Sequence, residues 1–340
     1  RVPGIGYSWL MGRRNGRRVV LHGGDLWEFS TQLLLAPDEN FGLFVSGNSS
    51  GAAPLADELV KAIFDTFLPR LEAGDASGAV QPAGDLSTLG AAHIVGDPRE
   101  LAGVYRMTRR AMTTADKAMS LLTQFRVIAR DDGTLALAFP GGYGMPATTW
   151  TPAGPGLYRD TTGDDLMAFD EWKTVAGKAR PWRMYMGIWA FDRVPVYETA
   201  SFTLTAVATL AAVFIWAILA WVFGRKVSGL AAALGLVNLA AIAGIAGSLL
   251  VIPGWELTTA VPTTTKAALA LPLAGAALAL VLVWQTIRRI AAGKRRQRWT
   301  FYSRRSRRGL TGIILPWLVV AADGAFVWLL HTWNLLGWRF

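Results

Sequence analysis

Four apolar runs, at about residues 201–223, 229–252, 267–285 and 310–331, constrain this 340-residue chain more than any other feature. Each is close to the roughly 20 residues a helix needs to cross a bilayer. Trp221, Trp255, Trp284, Trp333 and Trp338 stand near the ends of these runs, where interfacial anchors are expected. Residues 199–340 are therefore expected to form an α-helical membrane domain of four spans.

The net charge of +10 suggests a nucleic-acid binder at first sight, but 52% of residues are hydrophobic and only 17% are charged. The position of the charge resolves the conflict. Ten basic residues and no acidic one lie between 286 and 309 (Arg288, Arg289, Lys294, Arg295, Arg296, Arg298, Arg304, Arg305, Arg307 and Arg308), and the rest of the chain is balanced at 24 against 24. That places the whole excess in one loop between two spans. Its function is expected to be setting topology, with anionic lipid headgroups as a further partner. No folded reader of nucleic acid accompanies it.

The loops at 225–226 and 286–309 carry twelve Lys and Arg, whereas the loop between them and the C-terminal tail carry only Lys266 and Arg339. The twelve are expected in the cytoplasm of a cytoplasmic-membrane protein, and residues 1–200 outside it. With no cysteine, the chain has no disulfide, thiolate metal site or cysteine nucleophile. His22, His93 and His331 are too scattered for a zinc site, so neither a metal nor a cofactor is expected.

Residues 1–200 are soluble in character, with 20 basic and 22 acidic residues. They divide at a Gly-, Ala-, Asp- and Ser-rich linker, placed at 69–97. Before it, strands are expected at 6–11, at 19–21 continuing through 29–35, and at 41–46. Asn15-Gly16 closes a tight hairpin, and residues 37–40 form the second turn. A helix is expected from Pro54, with Leu55, Leu59, Ile63, Phe64 and Phe67 on its apolar face. After the linker, residues 98–198 read as a small, mostly β domain, with a hairpin around Asp131-Asp132-Gly133 and a short helix at 111–122.

The segment Tyr7-Ser8-Trp9-Leu10, Asn15-Gly16-Arg17, His22-Gly23-Gly24-Asp25, Phe29-Ser30, Leu33 to Val45 reads as an antiparallel meander with two glycines inside a strand. Strand glycines mark places where a ligand or another backbone comes close. In this order, the segment resembles the C-terminal end of the catalytic domain of β-lactamase-related serine hydrolases, the class C β-lactamase, D-alanyl-D-alanine carboxypeptidase and esterase group. There a Lys/His-x-Gly triplet lines the active-site cleft, and His22-Gly23-Gly24 matches it. The resemblance implies that His22 offers a hydrogen bond at the cleft edge, that the Asp25 N–H is an oxyanion-hole donor, and that Asn48 takes the family's Asn after the next strand. Residues 1–68 would then be the last strands and helix of an α+β hydrolase domain. Leu101-Ala102-Gly103-Val104-Tyr105-Arg106 looks like the start of the β domain that follows it in such proteins.

Ser-x-x-Lys and Tyr-x-Asn, which carry the family's nucleophile and its activation, occur nowhere in the chain. The chain is thus expected to be a fragment whose nucleophile lies upstream, and to be inactive alone. The substrate class the resemblance implies is a peptidoglycan-type peptide, a β-lactam or a small ester. The alternative is a non-catalytic membrane protein whose outer β domains bind a ligand or partner. Gly47-Asn48-Ser49-Ser50-Gly51 fits a nucleophile elbow, but an elbow's helix should start at the serine, so a polar strand-to-helix turn is the better reading. Asp323, inside the fourth run, is expected to pair with Asn238, Ser248 or a backbone group in the bundle. Ala240, Gly244 and Ser248 are expected on a close helix contact.

Overall fold

The computed structural model describes residues 4–26, 29–49, 51–71, 97–138, 148–154, 156–161, 165–175, 177–187, 189–224, 228–251, 261–297 and 311–337. The chain forms two compact units, Arg1–Arg109 with Thr123–Val194, and Arg110–Leu122 with Pro195–Phe340.

The first unit opens with a five-stranded antiparallel sheet in the order β1 (Ile5–Gly6), β2 (Trp9–Arg14), β3 (Arg17–Leu26), β4 (Phe29–Ala36) and β5 (Phe41–Gly47). Asn15 and Gly16 both sit in the left-handed region (φ 53° and 81°), the geometry a two-residue hairpin turn needs to match strand twist. The strand expected to run from 19 to 35 is two strands, because the chain reverses and Leu26 pairs with Phe29. The run expected at 6–11 is also broken: Tyr7 and Ser8 adopt φ 48° and 69°, a second tight reversal between β1 and β2.

Helix α1 (Ala52–Phe67) covers one face of this sheet. Its buried stripe is Ala52, Ala56, Val60 and Phe64, which meets Val19, Leu34 and Ala36. This corrects the expected apolar face, since Leu55, Leu59 and Phe67 are exposed. The cause is the tightness of the approach: a Cβ on Gly47 would lie 2.6 Å from the Ala52 Cβ. Only small side chains fit where the helix starts against β5, and they set the rotation that turns both leucines outward.

The second part of this unit is a closed eight-stranded barrel. Its strands are β6 (Gly103–Met107), β7 (Gln124–Ala129), β8 (Leu135–Ala138), β9 (Thr148–Gly154), β10 (Leu157–Asp160), β11 (Leu166–Val175), β12 (Lys178–Met186) and β13 (Trp189–Arg193). Every neighbouring pair is antiparallel, and β13 returns to pair with β6. Inward residues fill the interior, among them Tyr105, Phe125, Trp150, Met167, Met184 and Phe191, so this is a packed core. Arg193 closes one end, donating to the carbonyls of Pro181, Ala102 and Glu100 at 2.8–2.9 Å and to the Tyr105 hydroxyl at 2.8 Å. A Cβ at Gly103 would stand 2.5 Å from the guanidinium, so a side chain there would push Arg193 away from its carbonyl partners.

The second unit holds four helices long and apolar enough to cross a membrane: α2 (Ala200–Val222), α3 (Gly229–Val251), α4 (Thr263–Gln297) and α5 (Thr311–Thr332). Their inner faces meet around Phe214, Leu234, Leu282, Val319 and Phe326. Gly244 lets α3 approach Ala268 of α4, and the Ser248 hydroxyl accepts a 2.9 Å hydrogen bond from Thr265. Ala240, expected on this contact, is exposed, and the buried alanine is Ala241. Arg110–Leu122 carries a 3-10 turn at Ala115–Leu121 where a short helix was expected, and it belongs to this unit. Lys117 donates to the Thr332 carbonyl at 2.7 Å, a cation at the end of α5 where the helix dipole favours one.

Candidate functional site: a free strand edge

Residues 22–25 occupy the second half of β3, and all are exposed. Along a strand, side chains alternate between faces. Val19 and Leu21 point towards α1, so Gly23 and Asp25 share that face, while His22 and Gly24 lie on the face opposite the helix. There the His22 ring meets Trp9 edge-on, with centroids 6.3 Å apart. Leu33 is its neighbour on β4, and Phe44 is the next residue across on β5.

Backbone direction alternates as well. The two-residue turn makes Arg14 and Arg17 a hydrogen-bonded pair, so the odd residues of β3 direct their N–H and C=O groups towards β2. The β2 ladder ends at Leu10–Leu21 because the chain reverses at Tyr7-Ser8. Beyond that point, among the described residues, no strand pairs with this side of β3. The backbone groups of Gly23 and Asp25 therefore face an open edge, able to donate to an oxygen or to accept an extended peptide as an added strand. The even residues face β4, where the Gly24 carbonyl also accepts from the Thr31 hydroxyl at 3.2 Å.

The Asp25 carboxylate is committed elsewhere, accepting a 2.6 Å hydrogen bond from the buried Ser30 hydroxyl. That bond holds the end of β3 against β4 and leaves the N–H outward. Glycines suit this stretch, since a Cβ at Gly23 would come within 3.3 Å of the Thr31 carbonyl oxygen.

Asn48 is exposed and follows the end of β5. It stands at the same end of the sheet as Asp25 but two strands over, roughly 10 Å away by strand spacing, so it is not brought against His22. Ser49 precedes α1, whose first residue is Ala52, so a serine does not start this helix as an elbow requires. Ser50 and His93 lie outside the described residues. Among the described residues, no cluster of His, Asp or Glu could hold a metal ion. Trp9 and Ser30 are neighbours that a reading by motif passes over. The Asn15-Gly16 turn alone would have found Trp9, because a two-residue turn there puts it opposite His22.

No protein family matches the chain, and no curated protein matches it. Among solved structures, a SurE crystal structure with D-Leu aligns at 16% identity and a TM-score of 0.27, covering 56% of this chain and 39% of that one. A second SurE structure aligns at 16% identity and a TM-score of 0.26, covering 55% and 36%. An octameric penicillin-binding protein homologue from Pyrococcus abyssi aligns at 13% identity and a TM-score of 0.19, covering 56% and 38%. The chain thus spans less than two-fifths of the length of each of these three structures, at scores too low to carry fold or activity across.

Proposed function

We propose that this chain is the C-terminal portion of a membrane-anchored serine hydrolase of the β-lactamase-related group. It would act through an acyl-serine intermediate on a peptidoglycan-type peptide, a β-lactam or a small ester. The observation that carries this reading is the free edge of β3, where an N–H at Asp25 faces outward one residue after His22-Gly23-Gly24.

In this reading a serine contributed by residues N-terminal to Arg1 gives its proton to a neighbouring base of that same segment and adds to the substrate carbonyl carbon. The carbonyl oxygen takes on negative charge, and collapse of the adduct breaks the C–N or C–O bond, the leaving amine or alcohol taking up the proton. The Asp25 N–H donates to that oxyanion. A pre-aimed donor of this kind lowers the acylation barrier by about 3–4 kcal/mol. His22 supplies a hydrogen bond at the rim, and Trp9 limits its ring on one side. The four helices hold the enzyme in the cytoplasmic membrane, with the hydrolase and barrel domains on its outer side.

The test uses the full-length protein, a fluorophosphonate and a fluorescent penicillin. Labelling by either probe, abolished on replacing the serine of an upstream Ser-x-x-Lys, supports the enzyme. Failure of both probes on folded protein, or an upstream sequence without Ser-x-x-Lys, overturns it in favour of a non-catalytic ligand-binding protein. The donor is tested separately. Asp25→Pro removes an N–H on a free edge, where proline is tolerated, and is expected to slow acylation by roughly 100-fold or more. Asp25→Ala loses the same carboxylate but keeps the N–H, so it should acylate much faster than Asp25→Pro; equal rates for the two variants would remove Asp25 from the oxyanion hole.

A further inference from the structure

Among the described residues, nothing covers the far end of α4. Residues 287–292 are all exposed, and none of the ion pairs among the described residues involves Arg288 or Arg289. The Arg288 guanidinium lies 4.0 Å from the centroid of the Trp284 ring, which is itself 53% exposed. Trp284 and Arg288 stand four residues apart on one side of the helix, and Arg289 adds a second exposed cation beside them.

Two further observations say what such an end meets. Residues 199–340 hold fourteen Lys and Arg but only two carboxylates, Glu256 and Asp323. Asp323 is buried and accepts from Asn238, and Glu256 precedes the opposite end of α4 in the chain, so among the described residues neither is paired with this cationic end. The helix is also long. Its 35 residues span roughly 52 Å, against a hydrocarbon core of about 30 Å, so the helix is long enough for its arginines to reach the headgroups.

We propose that the Trp284–Arg288 end of α4 is a docking surface for anionic phospholipid headgroups. The indole sits at the interface, and the guanidinium stacked on it presents its edge N–H groups to lipid phosphates, with Arg289 as the second cation. The bilayer that accepts the apolar part of the helix supplies the anion at the depth where the cations emerge. This inference is independent of the hydrolase reading.

The test is lipid selectivity of the full chain in phosphatidylcholine vesicles containing phosphatidylglycerol, read from spin-labelled analogues of both lipids. At low salt, labelled phosphatidylglycerol is expected to be enriched at the protein about threefold over phosphatidylcholine, falling as salt rises. The double variant Arg288→Gln and Arg289→Gln should lose most of this preference with its circular dichroism unchanged, and Lys266→Gln, near the other end of α4, should keep it. Millimolar inorganic phosphate should leave the preference intact. No preference in the wild type, an unchanged preference in the double variant, or displacement by phosphate or by a short RNA would each overturn the proposal.

Discussion

The Asn238 side-chain amide donates to the Asp323 carboxyl oxygen at 2.8 Å, joining α3 to α5 inside the helix bundle. Both residues are buried, and Gly275 of α4 lies against the pair: a Cβ there would stand 2.9 Å from the Asn238 oxygen and 3.1 Å from that of Asp323. Three helices thus meet at one polar contact, and the glycine makes room for it. Of the partners the sequence offered for Asp323, this is the one realised; Ser248 is engaged with Thr265 instead.

A double-mutant cycle of Asn238→Ala and Asp323→Ala should therefore show a coupling of about 0.5–2 kcal/mol in thermal or denaturant unfolding of the bundle. Gly275→Ala should destabilise it by about 1–3 kcal/mol through overpacking. Additivity in the cycle would mean that the contact does not join the helices energetically.

The hairpin turn at Asn15 also anchors the end of α1. Its amide donates to the Asp65 carboxylate at 2.8 Å and to the Leu68 carbonyl at 2.9 Å, and its backbone is left-handed. Asn15→Ala loses both bonds and strains the turn, and should cost about 2–3 kcal/mol. Asn15→Gly relieves the strain and loses only the bonds, so urea unfolding should rank it between Ala and the wild type.

The barrel should lose stability in strong base because of Tyr105. Burial pushes its hydroxyl up from 10.0 to about 12, against the opposing pull of the neighbouring Arg193. The unfolded chain gives up this proton first, so its stabilising effect is whole below pH 10, where both states are neutral, and drains as pH rises towards 12. The loss should amount to roughly 2–3 kcal/mol over that window. Spectrophotometric titration should show Tyr105 among the tyrosines that ionise late, with Tyr158 also raised by burial, and Tyr105→Phe should remove its step and this share of the base sensitivity. A Tyr105 that ionises with the exposed tyrosines would refute the assignment.

Membrane orientation can be read with reporters. A fusion after Arg298 should report cytoplasm and one near Glu256 the exterior, because twelve Lys and Arg lie in the loops at 225–226 and 286–309. The reverse pattern would place residues 1–200 inside the cell.

Local chemistry in the sequence was enough for the four long apolar helices, the hairpin at Asn15-Gly16 and the position of the excess charge. Apolar length, left-handed preference and charge counting each act within a few residues. With the turn known, even the Trp9–His22 pairing follows, since a two-residue turn sets the register. The tertiary structure decided what depends on residues far apart. Tyr7-Ser8 carries no turn signature, yet its reversal ends β2 early and exposes the edge of β3. The buried face of α1 departs from its apolar pattern because Gly47 and Ala52 approach closely, leaving Leu55 and Leu59 exposed. Barrel closure through β13 and β6, and the choice of Asn238 over Ser248 for Asp323, likewise rest on contacts across the fold, which hydrophobic period and propensity do not encode.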